Sequence, residues 1–114
     1  MIVLGGFFAR NGDRIQLNVS DAGDLTTYLG VLKKFEDSGG GVVVSWLPAE
    51  LQSDEGGHAI LGDAHGYNVM IVPVVKDETK VTVRLRISGS VTVDDEQTIT
   101  ISDDDPFGWR IFIK

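Results

Sequence analysis

A chain of 114 residues, 42% of them hydrophobic and none of them cysteine, has the size of a single domain spanning 1–114 and enough apolar side chain for its own core. The missing cysteines exclude disulfides, thiol nucleophiles and thiolate metal sites. Ten basic residues against seventeen acidic ones give a net charge of −7, which repels nucleic-acid phosphates and anionic lipid, so no direct contact with nucleic acid or membrane is expected.

The opening residues, MIVLGGFFAR, have no basic residue ahead of their apolar run and lead straight into a strand pattern, so they read as structure rather than as a signal peptide. Asn11-Gly12 is the favoured pair for a two-residue turn with positive φ and predicts a β-hairpin over residues 2–19. In that hairpin Ile2, Leu4, Phe8, Ile15, Leu17 and Val19 share one face. Over about 21–37, Leu25, Tyr28, Leu29, Leu32 and Phe35 recur at helical spacing, with Ser20, Asp21 and Asp24 at the start and Gly39-Gly40-Gly41 as the stop. One helix packed on a face of a sheet is expected there.

Residues 42–48 are a β-branched run ending at Pro48, a buried strand; 49–57 are polar and irregular; a brief strand follows at His58–Leu61. The next strand, GYNVMIVPVV, is apolar on both sides, with Val69, Ile71 and Val75 on one and Met70, Val72 and Val74 on the other. Pro73 cannot donate to a ladder and points to an edge, where two apolar faces need a cover. Residues 81–93 alternate strictly, which predicts one long strand bent at Gly89, with a tight turn at Ser88-Gly89-Ser90 as the alternative. An odd-length loop at Asp94–Glu96 then keeps Ile99 and Ile101 on the apolar face, and Trp109, Ile111 and Ile113 form a last strand. The sum is a mainly β, α+β chain: about seven antiparallel strands as a curved sheet, a partly open barrel or a small sandwich. No stretch approaches the roughly 18 apolar residues of a membrane span, and the expected location is the cytoplasm.

Several short patterns bear on chemistry. Gly62-Asp63-Ala64-His65-Gly66 resembles the first metal-binding motif of the calcineurin-like metallophosphoesterases. The resemblance implies Asp63 and His65 as ligands, but the family's later GDxxDRG-type and GNH-type segments do not occur in the chain. Apart from any family, His58, Asp63 and His65 are the residue types that ligate zinc or non-haem iron, although the surrounding glycines are equally explained by turns. Arg10 with Arg14, and Asn18-Val19-Ser20-Asp21-Ala22-Gly23, resemble the RxxxR and D/NxSxxG motifs of PilZ domains, which implies cyclic di-GMP. Three residues separate the two motifs here, where that family has a hairpin's length. Glu36-Asp37-Ser38-Gly39 resembles the nucleophile segment of serine proteases in a chain half the needed length, and the helix stop explains it. Asp103, Asp104 and Asp105 lack the alternating ligand pattern of a calcium loop.

No coherent catalytic set emerges, so the expected function is a non-catalytic, cofactor-free protein–protein interaction module. Between Arg86 and Arg110 there is no basic residue, while Asp94, Asp95, Glu96, Asp103, Asp104 and Asp105 all fall there. With Phe107 and Trp109 they form the expected contact for a basic partner. The type of protein is an inhibitor of a nucleic-acid-handling enzyme, as in viral anti-defence proteins, or a subunit of a larger assembly. Met70, Val72, Pro73 and Val74 are the expected self-association surface. A small metal-dependent hydrolase using His58, Asp63 and His65 is the alternative.

Overall fold

The computed structural model describes residues 1–20, 28–34, 42–53, 57–62, 64–75, 77–103 and 105–114. They form nine strands and one short helix: β1 (Ile2–Ala9), β2 (Arg14–Ser20), β3 (Tyr28–Lys34), β4 (Val42–Trp46), α1 (Pro48–Gln52), β5 (Gly57–Ile60), β6 (Gly66–Pro73), β7 (Thr79–Ser88), β8 (Val93–Ile101) and β9 (Phe107–Ile113). The strands pair into a five-stranded sheet, β1-β9-β6-β3-β4, and a four-stranded sheet, β5-β2-β7-β8. All pairs are antiparallel except β1 with β9. This is a small sandwich, as one of the expected architectures has it.

Period-two alternation builds the core. Ile15, Leu17 and Val19 of β2 and Val81, Val83, Leu85 and Ile87 of β7 face Tyr67, Val69 and Ile71 of β6 and Phe107, Trp109 and Ile111 of β9, all in one buried cluster. The odd-numbered positions of β8 turn the same way, ending in the buried Ile101.

Several expectations about elements and their pairing are corrected. The turn at Asn11-Gly12 forms, with Gly12 at φ 95° and the Asp13 amide donating to the Arg10 carbonyl at 3.1 Å. Its flanking strands do not make a hairpin, because β1 pairs with β9 and β2 pairs with β5 and β7 in the other sheet. A turn fixes a reversal of direction but not the hydrogen-bond partners. Here Ala9 and Ile15 are both buried in the core between the sheets. An irregularity in the register between Val3 and Gly5 changes which side chains of β1 face inward: Leu4 packs on the core before it and Phe7 and Ala9 after it, while Phe8, and Ile2 at the strand's start, are exposed.

Residues 28–34, expected in a helix, are a strand between β6 and β4. Tyr28 and Leu32 are buried, and between them a Cβ on Gly30 would lie 2.8 Å from Leu51 Cδ2. That glycine lets α1 sit against the strand. The rest of the expected helix, 21–27 and 35–37, lies outside the described residues. The described helix is instead α1, in the stretch read as irregular: Pro48 opens it, Glu50 Oε2 accepts from the Leu47 amide at 2.9 Å, and Leu51 is fully buried.

Pro73 is not on an edge strand. It ends β6, a central strand, opposite Tyr28 and beyond the last β6–β9 pair at Ile71 and Phe107. Finally, the strictly alternating run is a hairpin: β7 and β8 pair from Thr79↔Ile101 to Ile87↔Val93, and Gly89 at φ 131° opens the turn. The alternative with a turn at Ser88-Gly89-Ser90 is the one that holds, and the loop at Asp94–Glu96 does not exist, since these residues are in β8.

Asp13 fastens this end of the sandwich. Its side chain is 4% exposed and accepts from the Ser90 hydroxyl (2.6 Å), the Ser90 amide (2.8 Å) and the Arg10 amide (2.9 Å). The Ser90 hydroxyl and amide are the main reason its carboxyl titrates below the ordinary range. Its backbone carbonyl also accepts from the Leu61 amide at 2.8 Å.

Candidate interaction surfaces

The charge of the chain is unevenly spread over the two sheets. The five strands of the larger sheet contain no Asp or Glu, only Lys33, Lys34 and Arg110. The smaller sheet carries Arg14, Lys80, Arg84 and Arg86 against Asp94, Asp95 and Glu96, and every other carboxylate lies outside the described strands.

On the outer side of the five-stranded sheet, register builds an apolar field. Phe8 of β1 stands opposite Phe112 of β9, with ring centroids 5.6 Å apart, and Lys114 Nζ lies 4.4 Å above the Phe8 ring. The next row is Gly6, Arg110, Asn68 and Lys33. Met70 lies between Gly108 and Val31, and Val72 opposite Leu29. Phe8 is 57% exposed and Leu29 43%, whereas Met70 and Val72 are half-buried among neighbours.

The expected self-association set therefore divides. Met70 and Val72 belong to this outer field, Val74 is exposed beyond the end of β6, and Pro73 is corrected to a buried position on the core side. Phe8 and Leu29 were expected among the inward apolar positions of a hairpin and a helix, and Phe112, Lys33 and Arg110 were not assigned to any surface. The available signal was the lack of carboxylates in five separate segments, which acquires meaning only once those segments are neighbours.

The acidic set divides as well. Arg84 donates to Asp94 from Nε at 2.8 Å and from Nη2 at 2.6 Å, and its guanidinium holds the Asp94 carboxyl below the usual range. Glu96 lies 3.9 Å from Arg84 Nε. Asp95 points to the other side of β8, where Oδ2 accepts from Trp109 Nε1 (2.8 Å) and Gln97 Nε2 (2.7 Å), and Gln97 also donates to the Leu4 carbonyl (3.2 Å). Asp103 Oδ1 accepts from the Val75 amide at 3.1 Å, Asp105 is exposed, and Asp104 lies outside the described residues. Phe107 and Trp109 are 1% and 0% exposed, which corrects their place in the partner contact: both are core.

Two recesses flank these features. A polar one of about 210 Å³ lies between α1 and the four-stranded sheet, lined by Asn18, Ser20, Gln52, Thr82, Arg84 and Arg86 among others. An apolar one of about 240 Å³ lies between β1 and β8, against Ile2, Leu4, Ile99, Ile101 and Phe107.

The histidines stand by strands of different sheets. His58 is on the exposed side of β5, its Nε2 3.1 Å from Gln16 Nε2. His65 precedes β6 of the other sheet, and its carbonyl accepts from the Ile113 amide at 3.0 Å. Asp63 lies outside the described residues, and among the described residues no three His, Asp or Glu side chains cluster to hold a metal ion. No described helix is long and apolar enough to cross a membrane. Compared with protein-family models, curated proteins and solved structures, the chain matches none.

Proposed function

We propose that the chain is a non-catalytic interaction module, a subunit that packs into a larger assembly through the outer face of its five-stranded sheet. The observation that carries this is the makeup of that face: Phe8, Phe112, Met70, Val72 and Leu29 on strands without a single carboxylate, in a chain of net charge −7. An antiparallel sheet with one side in water normally alternates apolar inward with polar outward. A face that breaks the rule over several strands marks a protein contact, and covering it gains roughly 25 cal/mol per Å² of apolar surface removed from water.

Lys33, Arg110 and Lys114 set the partner's chemistry. An apolar protein surface edged with carboxylates complements them, while the acidic remainder of the molecule steers polyanions away.

Capture from a lysate of the source cell, on immobilised wild type, Met70→Lys and Glu96→Lys, tests the proposal. The partner is expected on wild type and Glu96→Lys and missing from a folded Met70→Lys. Equal capture by all three overturns it. A wild-type dimer in sedimentation that Met70→Lys makes monomeric overturns the acidic partner in favour of a second copy.

A further inference from the structure

The two rims of the sandwich are built differently. On one, Trp46 Nε1 donates to the Gly57 carbonyl at 2.7 Å and Leu51 is buried beside Leu17 and Gly30, so the gap between the sheets is filled. On the other, β1 and β8 stand at the ends of their sheets, and among the described residues β8 pairs with β7 alone. Half of this rim is closed by the Trp109–Asp95–Gln97–Leu4 hydrogen bonds. The other half, alongside Ile99–Ile101, is the apolar recess of about 240 Å³.

We propose that this half-rim takes an extended segment of a basic protein as an added strand on β8, one apolar side chain of which enters the recess. Three observations converge on that occupant. An edge strand directs alternate amides and carbonyls away from its only partner, and those groups bond another extended chain. Edge strands are ordinarily guarded by charge; β8 has Asp94 and Glu96 facing out in its first half, but only Thr98 and Thr100 in the half beside the recess. That unguarded half lies between Glu96 and Asp105, both exposed carboxylates, so lysine or arginine at the alternate positions of the incoming strand finds opposite charge. The recess is smaller than the roughly 300–1,000 Å³ of small-molecule sites and of the order that receives a single apolar group. This goes beyond the sheet-face reading and uses none of its residues.

The probe is a capped heptapeptide alternating lysine and valine, added to the full chain while amide hydrogen exchange is followed. Slowed exchange at alternate residues of Gln97–Ile101 is expected, saturating with peptide. Glu96→Lys is expected to weaken binding about tenfold, and methylating alternate peptide nitrogens to abolish it. Met70→Lys leaves it unchanged, so that failure here and failure of the sheet face are read separately. No protection of β8 at millimolar peptide, equal protection by a glutamate–valine peptide, or protection confined to β4 or β5 overturns the proposal.

Discussion

Outward positions on the four-stranded sheet are Lys80, Thr82, Arg84 and Arg86 on β7, facing Thr100, Thr98, Glu96 and Asp94 on β8. On the five-stranded sheet they are Asn68, Met70 and Val72 on β6 and Gly108, Arg110 and Phe112 on β9. The first set completes itself: Thr82 and Thr98 hydroxyls lie 3.0 Å apart, and Arg84 lies between two carboxylates. The second carries the Phe8–Phe112 ring pair, with Lys114 over Phe8, and the half-buried Met70 and Val72. The outward groups of one sheet pair with one another, whereas the other sheet leaves Phe8, Leu29 and Phe112 exposed to water. That difference lies behind the proposed role.

The comparison can be broken most severely at Gly108. A Cβ there would stand 1.7 Å from the Val69 carbonyl oxygen, so Gly108→Ala separates β9 from β6. A loss of about 4 kcal/mol or more, or failure to fold, is expected in urea titration. Asp13→Ala releases the junction of the two sheets and is expected to cost about 2–3 kcal/mol.

The same carboxylate has a pH signature. Its folded pKa is below the ordinary 3.8, so its contribution is present above that value and fades as pH falls through the folded pKa. Stability of Asp13→Asn measured against pH should lack that acid limb. A wild-type profile that matches the variant's sinks the assignment.

Smaller effects sharpen the contrast between the faces. Met70→Thr with Val72→Thr is expected to change stability by no more than about 1 kcal/mol while reducing binding of an apolar dye. Thr82→Val with Thr98→Val on the other sheet should increase dye binding. The smallest effect belongs to Arg84→Ala: an exposed pair contributes little, so the melting temperature stays within error. The Asp94 carboxyl should nevertheless titrate at higher pH than in wild type by NMR.

Much of the strand content was legible because alternation is a property of neighbours in the chain. The inward residues of β2, β6, β7 and β9 follow from it directly, and the doubly apolar β6 already singled out Met70 and Val72. What alternation cannot decide is pairing. Opposed residues in the β7–β8 hairpin, such as Leu85 and Asp95, sum to an even number, so the in-out phase passes through the turn unchanged and a hairpin looks like one bent strand. Tyr28, Leu29 and Leu32 fit a helical period and Tyr28, Gly30 and Leu32 a strand period; seven residues are too few to separate the two. Phe107 and Trp109 looked like a surface patch beside aspartates because their cover comes from distant strands.

By itself the sequence determined a cysteine-free β chain, its acidic character and most of the side chains that leave water, since these depend on composition and local periodicity. Only the tertiary structure decided which strands are neighbours. It put Asp95 on Trp109 and Asp94 on Arg84, and it gathered five carboxylate-free segments into one face. Backbone hydrogen bonds are alike for every residue type, so long-range pairing is chosen by which faces can be buried together, and that choice belongs to the whole chain.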